Sequence, residues 1–214
     1  GARVLDVGCG AGATVAYLAE LGLRAVGVDA SAAMLRGGNG RFPPHPAACG
    51  RAALGRGERL PFAAARFDAL LAECCLSLMD DAARALAEFA RVLQPGGTLI
   101  LSDMLAGNPA AVAAVRQLPL ACCIRGAFSR PQLAALLADA GFEITFWEDN
   151  GEALKQLTVQ IIWEYGSLAN FWACAGGDAA AETAVGRMQP GYFLLLASKE
   201  GTQRTQRNAE DAKI

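Results

Sequence analysis

Three glycines and two acids carry the first chemical signal. The segment "LDVGCGAG" sets Asp6 two residues before Gly8, Gly10 and Gly12, and Asp29 closes "RAVGVD" 17 residues after Gly12. A strand that breaks into alternating glycines and then a helix offers bare backbone, N–H groups and close approach to a ligand. Gly8, Gly10 and Ala13 satisfy the G-x-G-x-x-A spacing of dinucleotide sites, a pattern that is weak alone. Asp6 argues against a pyrophosphate, because a carboxylate there suits a positively charged ligand better. Asp29 stands where a carboxylate can accept both hydroxyls of a ribose. Helix capping or solvated strand ends is the alternative for the two acids, and it is the weaker one once the three glycines are taken with them. Cys9 sits inside the loop and belongs to the same candidate set.

A second signal is sulfur. Of seven cysteines, four form two adjacent pairs, Cys74–Cys75 in "AECCLSL" and Cys122–Cys123 in "ACCIRGAF". Thiolates are soft ligands, and cysteines are equally common as small core hydrophobes. Neither C-x-x-C spacing nor paired histidines appear, so no metal site is expected. The single histidine, His45, lies in a Pro-rich stretch and reads as an exposed loop residue, not a base. Trp163, Tyr165, Phe171 and Trp172 recur at near-helical spacing, which points to core packing.

These residues need elements to hold them. Apolar strands are predicted at 4–7, 25–28, 67–71, 98–103, 143–147 and 192–198. Helices are predicted at 14–21, at 31–35 with Ser31 as cap, at 80–92, at 130–140 and within 152–174. The Gly-, Pro- and Arg-rich stretch 37–57 reads as a loop. Repeated strand–helix units with apolar strands imply an α/β, doubly wound, mostly parallel sheet with helices on both faces. The 214 residues suffice for one large domain, taken as 1–199, followed by a polar tail over 200–214 that lacks the apolar content to fold. Net charge is −2, which gives no case for a nucleic-acid surface. No run reaches the roughly 18 apolar residues of a spanning helix. With no visible secretory leader and an odd number of cysteines, the expected state is reduced thiols in the cytoplasm. Gly1 opens directly on a strand, so a natural N-terminal piece is expected ahead of it. Nothing in the sequence sets an oligomeric state.

The successive segments "DVGCGAG", "VDAS", "ERLPF", "FDALL" and "LQPGGTLILSD" resemble the ordered motifs of class I S-adenosylmethionine-dependent methyltransferases, from Arg3 to Asp103 and again at "LLADAGFEI". The resemblance implies a Rossmann-like sheet of seven strands with the last antiparallel, and S-adenosylmethionine as cofactor. By the same match Asp6, Gly8, Cys9, Gly10 and Gly12 hold the amino-acid and sulfonium end, and Asp29 holds the ribose. Ala30 and Met34 flank the adenine, with Leu60 nearby. One departure stands out: where the family often carries an acid for the adenine amino group, this chain has Arg56 or Gly57, with Glu58 as a near substitute. A weaker similarity to arsenite methyltransferases lies in "AECCLSL" and "CCIRGAF", set against that family's "SNCVxNL" and "ECxxGAL". It would place Cys74 and Cys123 on two of its arsenic-holding cysteines, while a further one falls on Val15.

The leading function is methyl transfer to a small-molecule acceptor by in-line displacement, in which positioning supplies most of the rate. The alternatives are a thiol-held trivalent arsenical as acceptor, a cofactor-binding module without catalysis, and a nicotinamide-dependent oxidoreductase. The last lacks an evident Tyr-x-x-x-Lys or catalytic histidine. Candidate acceptor-side residues are Cys74 and Cys123.

Overall fold

The computed structural model describes residues 1–37, 51–120, 122–177 and 179–200. The readings for His45, for most of the 37–57 loop and for the 200–214 tail fall largely or wholly outside the described residues. The elements are β1 (Arg3–Val7), α1 (Ala13–Glu20), β2 (Arg24–Asp29), α2 (Ala32–Leu35), β3 (Ala52–Leu54), β4 (Phe67–Glu73), α3 (Ala82–Val92) and β5 (Leu93–Ala106). They continue through α4 (Val112–Arg116), α5 (Arg130–Asp139), β6 (Phe142–Asp149), α6 (Gly151–Tyr165), α7 (Leu168–Cys174), α8 (Ala179–Met188) and β7 (Pro190–Lys199).

One seven-stranded sheet runs β3-β2-β1-β4-β5-β7-β6. β1 to β5 pair in parallel, and β7 inserts antiparallel between β5 and β6. The chain order reverses between β1 and β4, so the carboxyl ends of β1, β2 and β4 open a crevice where a doubly wound sheet takes its ligand. Alternate residues build the main core: Leu5 and Val7, Leu70 and Ala72, Leu99 and Leu101, then Phe193, Leu195 and Ala197, covered by Leu86 and Phe89 of α3 and Leu133 and Leu137 of α5. A small cluster under α1 joins Cys9, Val15, Ala16 and Ala25. A second cluster extends the carboxyl end of β5, where Met104 and Ala106 pack with Val115, Leu120, Ile124, Trp172, Val185 and Met188.

Several expectations are corrected. The stretch 37–57 contains a strand, β3, whose three residues are all exposed at the sheet edge and carry no alternation to betray it. The helical stretch 152–174 is two helices, because Gly166 turns into the left-handed region at φ +78° and caps α6. α8 was not anticipated; its Ala-rich sequence buries Ala181 and Val185 against the second cluster. The expected cap holds at Ser31, whose side chain accepts the Met34 N–H, and the structure adds one at Ser129, which accepts the Gln132 N–H.

Candidate active site

β1 ends at Val7, and the chain turns on Gly8 at φ +78°. A Cβ at Gly8 would stand 2.7 Å from the Cβ of Cys75, so glycine is required for both backbone and space. Gly12, at φ +86°, begins α1. The loop is tied across to β2: the N–H groups of Gly8 and Cys9 both donate to the Val28 carbonyl. Gly10 N–H donates to the Asp29 carboxylate at 2.9 Å, and Ser31 N–H donates to its other oxygen at 2.7 Å. Gly12 N–H closes on Cys9 O. This corrects the idea of a loop of free N–H donors: those of Gly8, Cys9, Gly10 and Gly12 are used internally. What the bare loop gives a ligand is close approach.

Beside the loop lies a cavity of about 340 Å³ lined by Val7, Gly8, Val28, Asp29, Ala30, Gly55, Arg56, Gly57, Glu58, Cys75, Leu78, Met79 and Asp80. Gly8, Asp29, Ala30 and Glu58 of the candidate set therefore face it. Asp6 is buried behind the loop. Burial, then the charges of Glu73 and Asp29, raise its carboxyl to about 7. Three acids around one glycine turn make a setting for positive charge. Met34 reaches Gly10 from α2. Asp6, Cys9, Gly10, Gly12, Met34 and Leu60 do not line the cavity, and Cys9 and Leu60 are committed elsewhere. The Cys9 sulfur packs under α1, where burial pushes its thiol up to about 12. Leu60 is buried in the main core, and its N–H is held by Glu88.

The cavity's far wall joins Gly55, Arg56, Gly57 and Glu58 to Leu78, Met79 and Asp80, and of these only Arg56, Gly57 and Glu58 were singled out from the sequence. Arg56, in place of the family's acid, reaches Glu58 and Asp80 as an exposed ion-pair bridge. Burial works to raise the Glu58 carboxyl, but its own backbone N–H, Arg56 and the Asp80 N–H hold it below its ordinary value. Asp80 just precedes the α3 cap Asp81, so "MDD" was legible only as a helix start.

On the acceptor side, Cys74 directly follows β4 at φ +49°, a left-handed conformation unusual for a non-glycine residue. Cys75 turns the other way: its sulfur sits 3.1 Å from Val7 O, and burial and then Asp103 push its thiol well up. Cys123 opens a 3₁₀ turn, Cys123–Gly126, pressed onto the turn Leu76–Leu78; a Cβ on Gly126 would collide with the Ser77 carbonyl. The structure brings the sulfurs of Cys74 and Cys123 and a carboxylate oxygen of Asp103 within 4.8 Å of one another. The hydrogen bond with Cys123, then that with Tyr192, lowers the Cys74 thiol, and the same pairing raises Cys123. The Tyr192 hydroxyl lies 3.4 Å from the Cys74 sulfur and 2.9 Å from Ser102 Oγ. Cys122 packs against the second cluster instead. All six described cysteines are free. Among the described residues, no helix is long and apolar enough to cross a membrane.

A family model described as a methyltransferase domain matches residues 5–101. The demethylmenaquinone methyltransferase of Corynebacterium urealyticum is 32% identical over 163 residues, 73% of this chain and 66% of that protein. Relatives of the same name at 37–38% identity match over 103 residues, and the chain spans about two fifths of their length. Among solved structures, the cyclase SpnF superposes with TM-score 0.66 at 26% identity, covering 94% of this chain and 76% of that one. Geranyl diphosphate C-methyltransferase from Streptomyces coelicolor, solved with S-adenosyl-L-homocysteine, shares the fold at TM-score 0.61 and 19% identity, over 93% and 73% of the chains. On the matched motifs, the strand order and the glycine turn at the sheet's crevice, the chain belongs to the class I S-adenosylmethionine-dependent methyltransferase family.

Proposed function

We propose that this chain binds S-adenosylmethionine in the 340 Å³ cavity and transfers its methyl group to a small-molecule acceptor. The supporting observation is the acidic glycine turn: Asp6, Asp29 and Glu73 surround a backbone that a ligand can approach closely, on the strand ends where the sheet order reverses. When bound, the cofactor supplies a methyl group on a sulfonium, which leaves by in-line displacement. The chain's own work is placement. Ionised Asp6 balances positive charge near the turn. Asp29 anchors the loop through Gly10 and keeps lone pairs on both oxygens for a diol. Ala30, Leu78 and Met79 give apolar walls for a flat ring, and the Arg56–Asp80 bridge crosses the rim. Acceptor binding falls to the side of Cys74, Cys123 and Tyr192.

The curated relatives are named for demethylmenaquinone, which makes it the first acceptor to try. The experiment is calorimetry with S-adenosylmethionine against a nicotinamide dinucleotide, followed by turnover to S-adenosylhomocysteine over an acceptor panel. Binding of the dinucleotide alone would overturn the reading; binding without turnover would leave a cofactor-binding module.

A second reading has its own support. The sulfurs of Cys74 and Cys123, 49 positions apart, lie within reach of one shared soft atom. A trivalent arsenical held by both thiolates would present its lone pair to the methyl group. Titration with phenylarsine oxide tests it, and equal affinity in Cys74→Ser or Cys123→Ser would remove it.

A further inference from the structure

Cys74, Asp103 and Cys123 come from three segments: the end of β4, the carboxyl half of β5, and the 3₁₀ turn that follows α4. We propose that the two sulfurs and one Asp103 oxygen form a binding site for a zinc-like divalent ion, with a fourth position open to water or to the acceptor.

The donor set fits. Two thiolates and a carboxylate suit a d¹⁰ ion that prefers four neighbours, and three protein ligands with one open position is the pattern of reactive zinc sites. Metal–sulfur bonds of about 2.3 Å and metal–oxygen bonds of about 2.0–2.2 Å would set the ligand atoms roughly 3.3–3.8 Å apart. All three already lie within 4.8 Å of one another, so closure needs only rotamer-scale shifts. Asp103 is held as a ligating carboxylate usually is. It accepts Ser77 N–H and Met104 N–H, each at 2.8 Å, and Ser77 O–H at 2.6 Å. Its side chain is fully buried, and among the described residues no Lys, Arg or His forms an ion pair with it. A buried carboxylate without a counter-charge either holds a proton or pairs with a cation, and two thiols beside it favour the cation. Cys74 and Cys123 are only half-buried, which leaves an entry path. Tyr192, anchored by Ser102, stands against the Cys74 sulfur as an outer support.

The sequence offered no metal motif because the ligands are 29 and 20 positions apart and meet only across the sheet. An ion at this site would lower the pKa of an acceptor hydroxyl or thiol bound at its open position. The acceptor proton would pass to solvent, and the freed lone pair would form the bond to the methyl carbon as the carbon–sulfonium bond breaks, its electron pair staying on sulfur. That acceptor class rests on the proposed methyl transfer; the ion site does not.

The test is titration of the reduced, metal-free full chain with cobalt(II), read by thiolate-to-metal charge-transfer absorption, then zinc competition. One equivalent should bind, and the absorption should be lost in Cys74→Ser and Cys123→Ala. Asp103→Asn, checked for fold by circular dichroism, and Ser77→Ala should each weaken binding by about 10-fold or more. Ser77→Ala decides the point if Asp103→Asn does not fold. No charge transfer in the wild type, or absorption that survives Cys123→Ala, overturns the site. Wild-type affinity in a folded Asp103→Asn also overturns it, and leaves the thiol pair to the arsenical reading. Calorimetry with S-adenosylmethionine, run in parallel, reports on methyl transfer separately: its failure would sink that reading and leave the ion site standing.

Discussion

The cofactor side and the acceptor side of this sheet are built in different ways. On the cofactor side, β1, the glycine turn, α1 and β2 occupy residues 3–29 in one continuous run, and the bond that locks them, Gly10 to Asp29, spans 19 positions. Its parts are backbone, one acid and glycine. On the acceptor side, Cys74, Ser102, Asp103, Cys123 and Tyr192 converge from four segments, and the Cys74–Tyr192 contact spans 118 positions. Its parts are side chains, partly carried by a cluster that packs separately around Trp172. A fold can keep the first side constant while the second is rebuilt.

The harshest way to break the comparison is to empty the second cluster. Trp172 is buried at its centre and meets Phe171 edge-on, so Trp172→Ala should cost about 3–5 kcal/mol locally. Hydrogen exchange should rise over residues 109–128 and 151–188 with S-adenosylmethionine affinity unchanged. Loss of cofactor binding would show that the two sides are one unit. On the other side, Gly8→Ala meets a left-handed backbone worth roughly 1–2 kcal/mol and a clash with Cys75 worth roughly 1–3 kcal/mol more. Thermal melting and calorimetry should both suffer, and a variant with wild-type affinity would contradict the turn's role.

Smaller effects sharpen the comparison. Asp29→Ala removes charged hydrogen bonds worth about 1.5–3 kcal/mol, so the dissociation constant should rise about 10- to 150-fold. An unchanged constant would take Asp29 out of the site. The signal from Asp6 depends on pH and is smallest near neutrality. With its carboxyl near 7 in the ligand-free protein, Asp6 is neutral below that pH and offers a cation no partner. Cofactor affinity should climb by up to about tenfold per unit below pH 7 and level off above it. Stability runs the other way. The folded value lies above the ordinary 3.8, so the stability from Asp6 is complete below 3.8 and lost as pH rises through about 7. Asp6→Asn should flatten both curves; unflattened curves would assign the titration to another group.

Much of the cofactor side was legible from the residues alone, because its signals are local. Alternating apolar strands, a glycine-only backbone turn at Gly8 and an acid closing β2 declare themselves within a few positions. The same locality explains the errors. β3 is three exposed residues with no pattern of their own, made a strand only by pairing with Gly27, Val28 and Asp29. Free N–H donors in the glycine loop were a fair inference from composition, until Val28 O and Asp29 came across from β2 to take them.

The sequence by itself determined the parallel sheet, the glycine turn and two of the acids beside it, Asp6 and Asp29, since period and backbone freedom are written in adjacent residues; Glu73 joins them only through the pairing of β1 with β4. Only the tertiary structure decided which way each cysteine faces. Cys74 and Cys75 are neighbours, yet one turns to Tyr192 and Cys123 and the other to Val7, because the left-handed step at Cys74 splits them. It also decided that a buried Asp103, with no ion-pair partner among the described residues, lies beside two thiols, a meeting that depends on β4, β5 and β7 pairing in register and on the turn after α4 folding down against Ser77.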